Sequence, residues 1–256
     1  MRAATTADLP RAAGELLAAL RERAPRIHCI TNSVAQTFTA NVLLAAGCVP
    51  SMTISAAEIG AFVESADALL VNLGTFDGER REAVLIALEV ARHQGKPWVL
   101  DPVLIDRSSA RAGFARSLLA KKPAAVRLNA AELKALGGDP EPAAMRAFAA
   151  QSGTVIALSG ATDRVADGAQ VISFSHGHPH MARVTAMGCA ASALTAACLT
   201  SGKDAFTASA GALLILGIAG EIAGESARGP GSFAVNILDA LFNLDEATLA
   251  KRAKVS

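Results

Sequence analysis

Small polar residues recur in this chain at one kind of place, directly after short apolar runs. They are Thr31–Asn32, Asn72–Leu73–Gly74–Thr75, Asp101–Pro102, Asn129 through Glu132, and Ser159–Gly160. Taken singly, Asn, Asp, Ser and Gly cap helices and make turns. Five such positions at the ends of successive strand-like runs point to a shared polar site, because ligands of open α/β sheets lie outside the carboxyl ends of the strands. Asp101 and Glu132 are the carboxylates of the set, a pair suited to a Mg²⁺ held mostly through water and phosphate oxygens. A second feature is Ala186–Met187–Gly188–Cys189–Ala190–Ala191–Ser192, where an extended segment enters a helix. A helix start aims free N–H groups and a positive dipole end at one point, a seat for an anion. Gly188 would let a phosphate approach the backbone; equally, Gly188 turns the chain and Cys189 is a small buried hydrophobe.

Other patterns exclude more than they suggest. There is no GxxxxGK[ST], so a P-loop is absent. Gly229–Pro230–Gly231–Ser232–Phe233–Ala234 fits GxGxxA formally, but it follows a helical stretch and not a strand, which argues against a dinucleotide fingerprint. His176, His178 and His180 alternate, yet Pro179 favours a loop over a metal site. Met52 follows an apolar run and by composition reads as core.

The elements that must position these residues alternate. Pro10–Arg23 reads as a helix with Asp8 as its cap and Pro10 in its first turn. Arg26–Ile30 is a strand and Gln36–Ala46 a helix stopped by Gly47. Ala68–Leu73 is a buried strand, Glu79–His93 a helix, and Trp98–Leu100 a strand. Helix Ala110–Lys121, strand Ala124–Leu128, short helix Ala130–Leu136, a helix from Pro140 and Pro142 through Ala150, and strand Thr154–Leu158 follow. Arg164–Asp167 and Gln170–Ser175 form a hairpin. The remainder is helical over Gly188–Leu199, Ala205–Ala223 and Ala234–Leu241. The alternation argues for an α/β fold with a mainly parallel sheet covered by helices on both faces, and one domain accounts for residues 1–256.

The chain is 52% hydrophobic, 4% aromatic and 18% charged, enough for a large core and too apolar for a disordered chain. A formal net charge of +1 leaves no basic surplus to neutralise a run of phosphates, so no nucleic-acid partner is expected. Val184–Gly202 and Ala205–Gly220 lack charge but are rich in small residues, so neither is expected to span a membrane. Charges among the first twenty-odd residues break up any signal-like apolar stretch. Cys29, Cys48, Cys189 and Cys198 include no CxxC pair and form no disulfide framework, which fits reduced thiols and a cytoplasmic location.

Ile27–His28–Cys29–Ile30–Thr31–Asn32, then Phe38–Thr39–Ala40–Asn41 with Leu43–Leu44–Ala45, resemble the amino-terminal motif of bacterial hydroxyethylthiazole kinases. So do Asn72–Leu73–Gly74–Thr75, Leu100–Asp101–Pro102–Val103, Arg127 with Asn129 and Glu132, Gly188–Cys189, and Gly229–Pro230–Gly231–Ser232–Phe233. They occur in the family's order over nearly the whole chain. The resemblance implies a ribokinase-like three-layer αβα fold, and a homotrimer with active sites between subunits. It implies transfer of the ATP γ-phosphoryl group to the hydroxyl of 4-methyl-5-(2-hydroxyethyl)thiazole in thiamine salvage. Asn32, Met52, Gly74 and Gly188 then contact the thiazole alcohol, Arg127 and Ser159 contact ATP, Asp101 and Glu132 handle Mg²⁺, and Cys189 takes the catalytic position that ribokinase relatives fill with Asp.

The chain departs from that pattern in places. Ala186–Met187 stand where the family has Gly-Thr, Leu104–Ile105–Asp106 where it has a glycine-rich loop, Leu128 for Gly, Ser159 for Thr and Ala161 for Glu. Ala186–Met187 and Leu104 can crowd the phosphates or alter nucleotide preference. Two alternatives follow: another ribokinase-like small-alcohol kinase, or a non-catalytic thiazole- or nucleotide-binding protein with drifted phosphate loops. At a helix start the Cys189 thiol is expected to titrate below its reference of about 8.5, making it a modest proton acceptor. A covalent phosphocysteine would need a partner base that the sequence does not place nearby.

Overall fold

The computed structural model describes residues 5–255. Among them eight strands form one sheet: β1 (Arg26–Ile30), β2 (Val49–Ser51), β3 (Ala68–Asn72), β4 (Trp98–Asp101), β5 (Ala125–Leu128), β6 (Val155–Leu158), β7 (Asp163–Ala166) and β8 (Val171–Phe174). The order is β2-β1-β3-β4-β5-β6-β7-β8. The strands from β1 through β6 pair in parallel, while β7 and β8 are antiparallel additions. All six parallel strands therefore end on one edge, which gathers the polar residues noted in the sequence.

Burial explains why these runs are strands. In β3, Ala68 and Leu70 enter one apolar core, while Leu69 and Val71 enter the other. This is the two-residue alternation of a strand covered on both faces. The helices divide accordingly. On one face lie α1 (Leu9–Arg23), α2 (Gln36–Ala45) and four late helices; on the other lie α3 (Ile59–Ser65), α4 (Gly78–His93), α5 (Ser109–Leu119), α6 (Ala130–Leu136) and α7 (Pro142–Ser152). The late helices are α8 (Met187–Cys198), α9 (Ala205–Ser226), α10 (Pro230–Asn243) and α11 (Glu246–Arg252). By length and composition α9 could cross a membrane, but 83% of its most apolar window is buried within the fold, as in an all-round apolar core helix.

Of these strands and α-helices, three have no counterpart in the sequence reading: β2, α3 and α11. β2 has three residues, and its central Pro50 cannot donate to a ladder, so it occurs as an edge strand. The helix expected from Ala234 starts at Pro230, with Pro in the first turn, and no strand precedes its glycines. Asp8 holds the N-cap position of α1 but makes no side-chain cap bond; its carboxylate accepts from Thr5 Oγ1 at 2.7 Å.

Candidate active site

The polar ends of β1, β3 and β4 meet the first turn of α8. Asn32, two residues beyond β1, donates through Nδ2 to Asn72 Oδ1 at 3.2 Å and to Cys189 Sγ at 3.4 Å. Asn72, the last residue of β3, donates to Asp101 Oδ2 at 2.7 Å. Ser192 Oγ donates to the same oxygen at 2.9 Å, from the turn of α8 following Cys189. Gly74 N–H donates to Asn72 Oδ1 at 3.0 Å. A Cβ at position 74 would sit 2.7 Å from the Asn32 side chain, so the glycine permits this close approach. Asn32, Gly74, Asp101 and Cys189 are thus brought together. Asn72 and Ser192 join them; the sequence reading includes Asn72 in its strand-end set and Ser192 in the helix-start segment but gives neither a role of its own. The signal for Asn72 is a lone amide closing the otherwise apolar run Ala-Leu-Leu-Val-Asn. For Ser192 it is the i, i+3 spacing from Cys189, which puts both on one helix face.

Beside this cluster lies a cavity of about 590 Å³, lined by Arg127, Ser159, Asp163, His176, Met187 and Gly188 among others. Arg127 Nη2 donates to Ser159 Oγ. The guanidinium also lies so close over Gly188 that a Cβ there would overlap Nη1. Arg127 Nε has no hydrogen-bond partner. An Arg fork held against the open first turn of a helix is an anion seat built from two independent sources of positive potential. Asp163, which carries no signal in the sequence reading, accepts from Gly160 N–H at 2.9 Å and is pushed up to about 6 by burial. His178 and His180 pack on each other and on Phe233, while His176 bonds to Glu221. Among the described residues no three His, Cys, Asp or Glu side chains gather to hold a metal.

Glu132 has a structural post. It forms a capping box with Asn129 at the start of α6, with Oε2 accepting from Asn129 N–H at 2.9 Å. Its Oε1 accepts from Leu104 N–H, also at 2.9 Å. Asp101 differs: Oδ2 is doubly bonded, but the buried Oδ1 has no partner. A carboxylate oxygen buried without a donor is costly unless something positive meets it, so Asp101 fits a cation-facing role better than Glu132 does. Met52 directly follows β2 at the same sheet edge and is half-buried against the core. It lies outside both the polar cluster and the lining of the cavity.

Leu104 and Ala186 both adopt left-handed backbone, at φ 57° and 71°. These are two of the places where glycine was expected, and L-residues pay about 1–2 kcal/mol for that conformation. Leu104 is 41% exposed.

The expectation for Cys189 is overturned. Its thiol is pushed up to about 11, first by burial and second by the charge of Asp101; the hydrogen bonds from Asn32 and Asn72 and the Arg127 charge oppose this without prevailing. Desolvation of a buried thiolate exceeds what a helix start supplies. Asp101 itself is raised to about 6, again chiefly by burial, with Arg127 pulling it back. At neutral pH the site therefore holds a protonated thiol beside a largely ionised carboxylate.

A family model described as the hydroxyethylthiazole kinase family matches residues 17–247. A probable hydroxyethylthiazole kinase of Agrobacterium fabrum is 41% identical over 250 residues, covering 97% of each chain. A hydroxyethylthiazole kinase of Granulibacter bethesdensis is 43% identical, covering 93% of this chain and 92% of its own. The structure of a hydroxyethylthiazole kinase from Pyrococcus horikoshii superposes with a TM-score of 0.92 at 36% identity, covering 96% of this chain and 98% of the other. A ribokinase-like superfamily protein of Enterococcus faecalis shares the fold at 14% identity, with a TM-score of 0.66 and coverage of 96% and 97%. The fold is ribokinase-like, and the chain belongs to the hydroxyethylthiazole kinase family.

Proposed function

We propose that this protein transfers the ATP γ-phosphoryl group to the hydroxyl of 4-methyl-5-(2-hydroxyethyl)thiazole, a step of thiamine biosynthesis or salvage. The observation that carries this reading is the placing of Gly188–Cys189. They open α8 between the cavity containing Arg127 and Ser159 and the cluster containing Asn32, Asn72 and Asp101. ATP takes the cavity, with Arg127 and Ser159 on its phosphates and the helix start receiving the transferred group. The alcohol takes the side of Asn32, Met52 and Gly74, with its hydroxyl at Gly188.

Phosphoryl transfer through a loose transition state needs positioning and charge neutralisation more than a strong base. The protonated Cys189 thiol, held by Asn32, orients the hydroxyl for in-line attack. Arg127 and the α8 N–H groups stabilise the equatorial oxygens as charge moves onto them. The hydroxyl proton leaves late, when the forming ester bond has made it acidic, and passes to a non-bridging oxygen of the transferred phosphoryl group as the bond from that phosphorus to ADP breaks. The unpartnered Asp101 oxygen fits Mg²⁺, with Glu132 adding charge behind it; Mg²⁺ when bound supplies charge neutralisation between the phosphates.

Val34, Leu44, Val49 and Phe62 are exposed apolar side chains on or near α2, β2 and α3, the part of the chain that also carries Met52. They support assembly into a homotrimer whose neighbouring subunit completes the alcohol side. Dilution should then lower specific activity together with oligomer mass; full activity from a monomer shown by light scattering would remove the shared site. The reading as a whole is tested by coupled ADP release with Mg²⁺ and ATP, with and without the alcohol. Alcohol-dependent release supports it. Alcohol binding by calorimetry without release would favour a non-catalytic binder.

A further inference from the structure

His176 stands on the wall of the cavity, two residues beyond β8, and its ring is fully buried. Its Nε2 lies 2.8 Å from the backbone N–H of Lys254, and its Nδ1 lies 2.7 Å from Glu221 Oε1. A backbone N–H can only donate, so Nε2 is the acceptor and the neutral ring carries its proton on Nδ1, which donates to Glu221. One ring thus ties together the end of β8, α9 and the segment after α11. Two further contacts fix its place. A Cβ on Gly217 would meet His176 Cβ at 2.8 Å, so α9 packs against the residue without slack. Val255 forms an antiparallel bridge with Phe174, extending the sheet past its outer strand.

We propose that His176 is a positioning residue that couples docking of residues 253–255 to the wall of the nucleotide cavity, so that this segment sets affinity for nucleotide and not for alcohol. The inference rests on reading that cavity as the nucleotide site. Its physical basis is the rigidity of the wall. With Nε2 and Nδ1 both bonded, Ser175–Gly177 cannot shift without breaking a buried contact. With the Lys254 N–H removed, Nε2 becomes a buried acceptor with no partner and the wall gains a reason to move.

Lys254→Pro deletes that N–H; Ala253, at φ −62° and ψ 128°, already has the backbone a following proline requires. Lys254→Ala keeps the N–H and is its control. His176→Asn retains a donor toward Glu221 but is too short for Lys254, whereas His176→Gln reaches the Lys254 N–H. ADP with Mg²⁺ and the thiazole alcohol are titrated separately by calorimetry. Lys254→Pro and His176→Asn are expected to weaken ADP by about three- to tenfold, the worth of one hydrogen bond. Lys254→Ala, His176→Gln and every alcohol affinity should stay at wild-type values. Unchanged ADP affinity in Lys254→Pro, or equal loss for both ligands, overturns the proposal.

Trypsin digestion of the ligand-free protein reads docking directly. His176→Asn should be cut faster than wild type after Arg252 and Lys254, and equal rates would overturn the latch. A wild type that binds no ADP defeats the nucleotide reading itself, and the trypsin rates then still decide whether the latch exists.

Discussion

Removing the Cys189 thiol separates an orienting group from a base. With the thiol pushed up to about 11, roughly one molecule in 3,000 carries a thiolate at pH 7.5. Were that thiolate the working base, turnover would climb about tenfold per pH unit from 7.5 toward 9.5. A thiol that only orients the hydroxyl gives a flat profile over the same range. Cys189→Ala removes a neutral hydrogen bond together with its share of alignment, so turnover should fall about 10- to 100-fold, short of the loss of up to 10⁴-fold that removal of a general base can cause. The assay is steady-state ADP release at saturating ATP and alcohol, between pH 7.5 and 9.5, for wild type and variant, with alcohol affinity by calorimetry. Wild-type turnover rising tenfold per unit while the variant stays flat would refute the reasoning, as would complete loss of transfer.

Gly188→Ala places a methyl group in the space of the Arg127 guanidinium, which must swing off Ser159; the KM for ATP should rise about tenfold or more with little change in Tm. Asp101→Asn removes a buried charge. Because the Asp101 carboxyl is raised to about 6 in the fold, the unfolded chain ionises first, so stability is full below the unfolded value near 4 and is lost as pH rises through about 6. The variant should therefore unfold no more easily than wild type at pH 7.5, and should gain up to about 2 kcal/mol in urea melts while losing transfer. Ala186→Gly relieves a left-handed alanine and should add about 0.5–1 kcal/mol of stability by chemical denaturation, without loss of ATP affinity.

Much of this arrangement is legible in the chain. The strand Arg26–Ile30 and the helix Ala130–Leu136 have the limits that the sequence predicts, because an apolar run and an Asn-x-x-Glu cap are local signals. The strand-end positions fall together on one edge of the sheet because the strands that carry them run parallel. What stays hidden depends on three dimensions. The strand Val49–Ser51 is three residues with a central proline and exists because β1 offers a partner. The Cys189 thiol is misjudged from sequence because its helix position is visible there and its burial is not. Glu132 looks like a metal ligand by type; its Oε2 bond to Asn129 belongs to the local cap, while the bond that Oε1 accepts from Leu104 N–H is a commitment that only folding reveals. His176 alternates with two other histidines in a pattern that raises a shared ligand set, yet its partners come from 45 and 78 residues away.

The central claim, direct transfer from ATP to the alcohol, is tested most directly by following the phosphorus atom. Protein, Mg²⁺, ATP and 4-methyl-5-(2-hydroxyethyl)thiazole are mixed and observed by ³¹P NMR, with intact-protein mass spectrometry on quenched samples. The account predicts that loss of the γ-phosphate signal is matched by one new phosphate monoester of the alcohol, with no phosphoprotein formed when the alcohol is left out. Inorganic phosphate as the main product, or a stoichiometric phosphocysteine that passes its group to the alcohol, would contradict it.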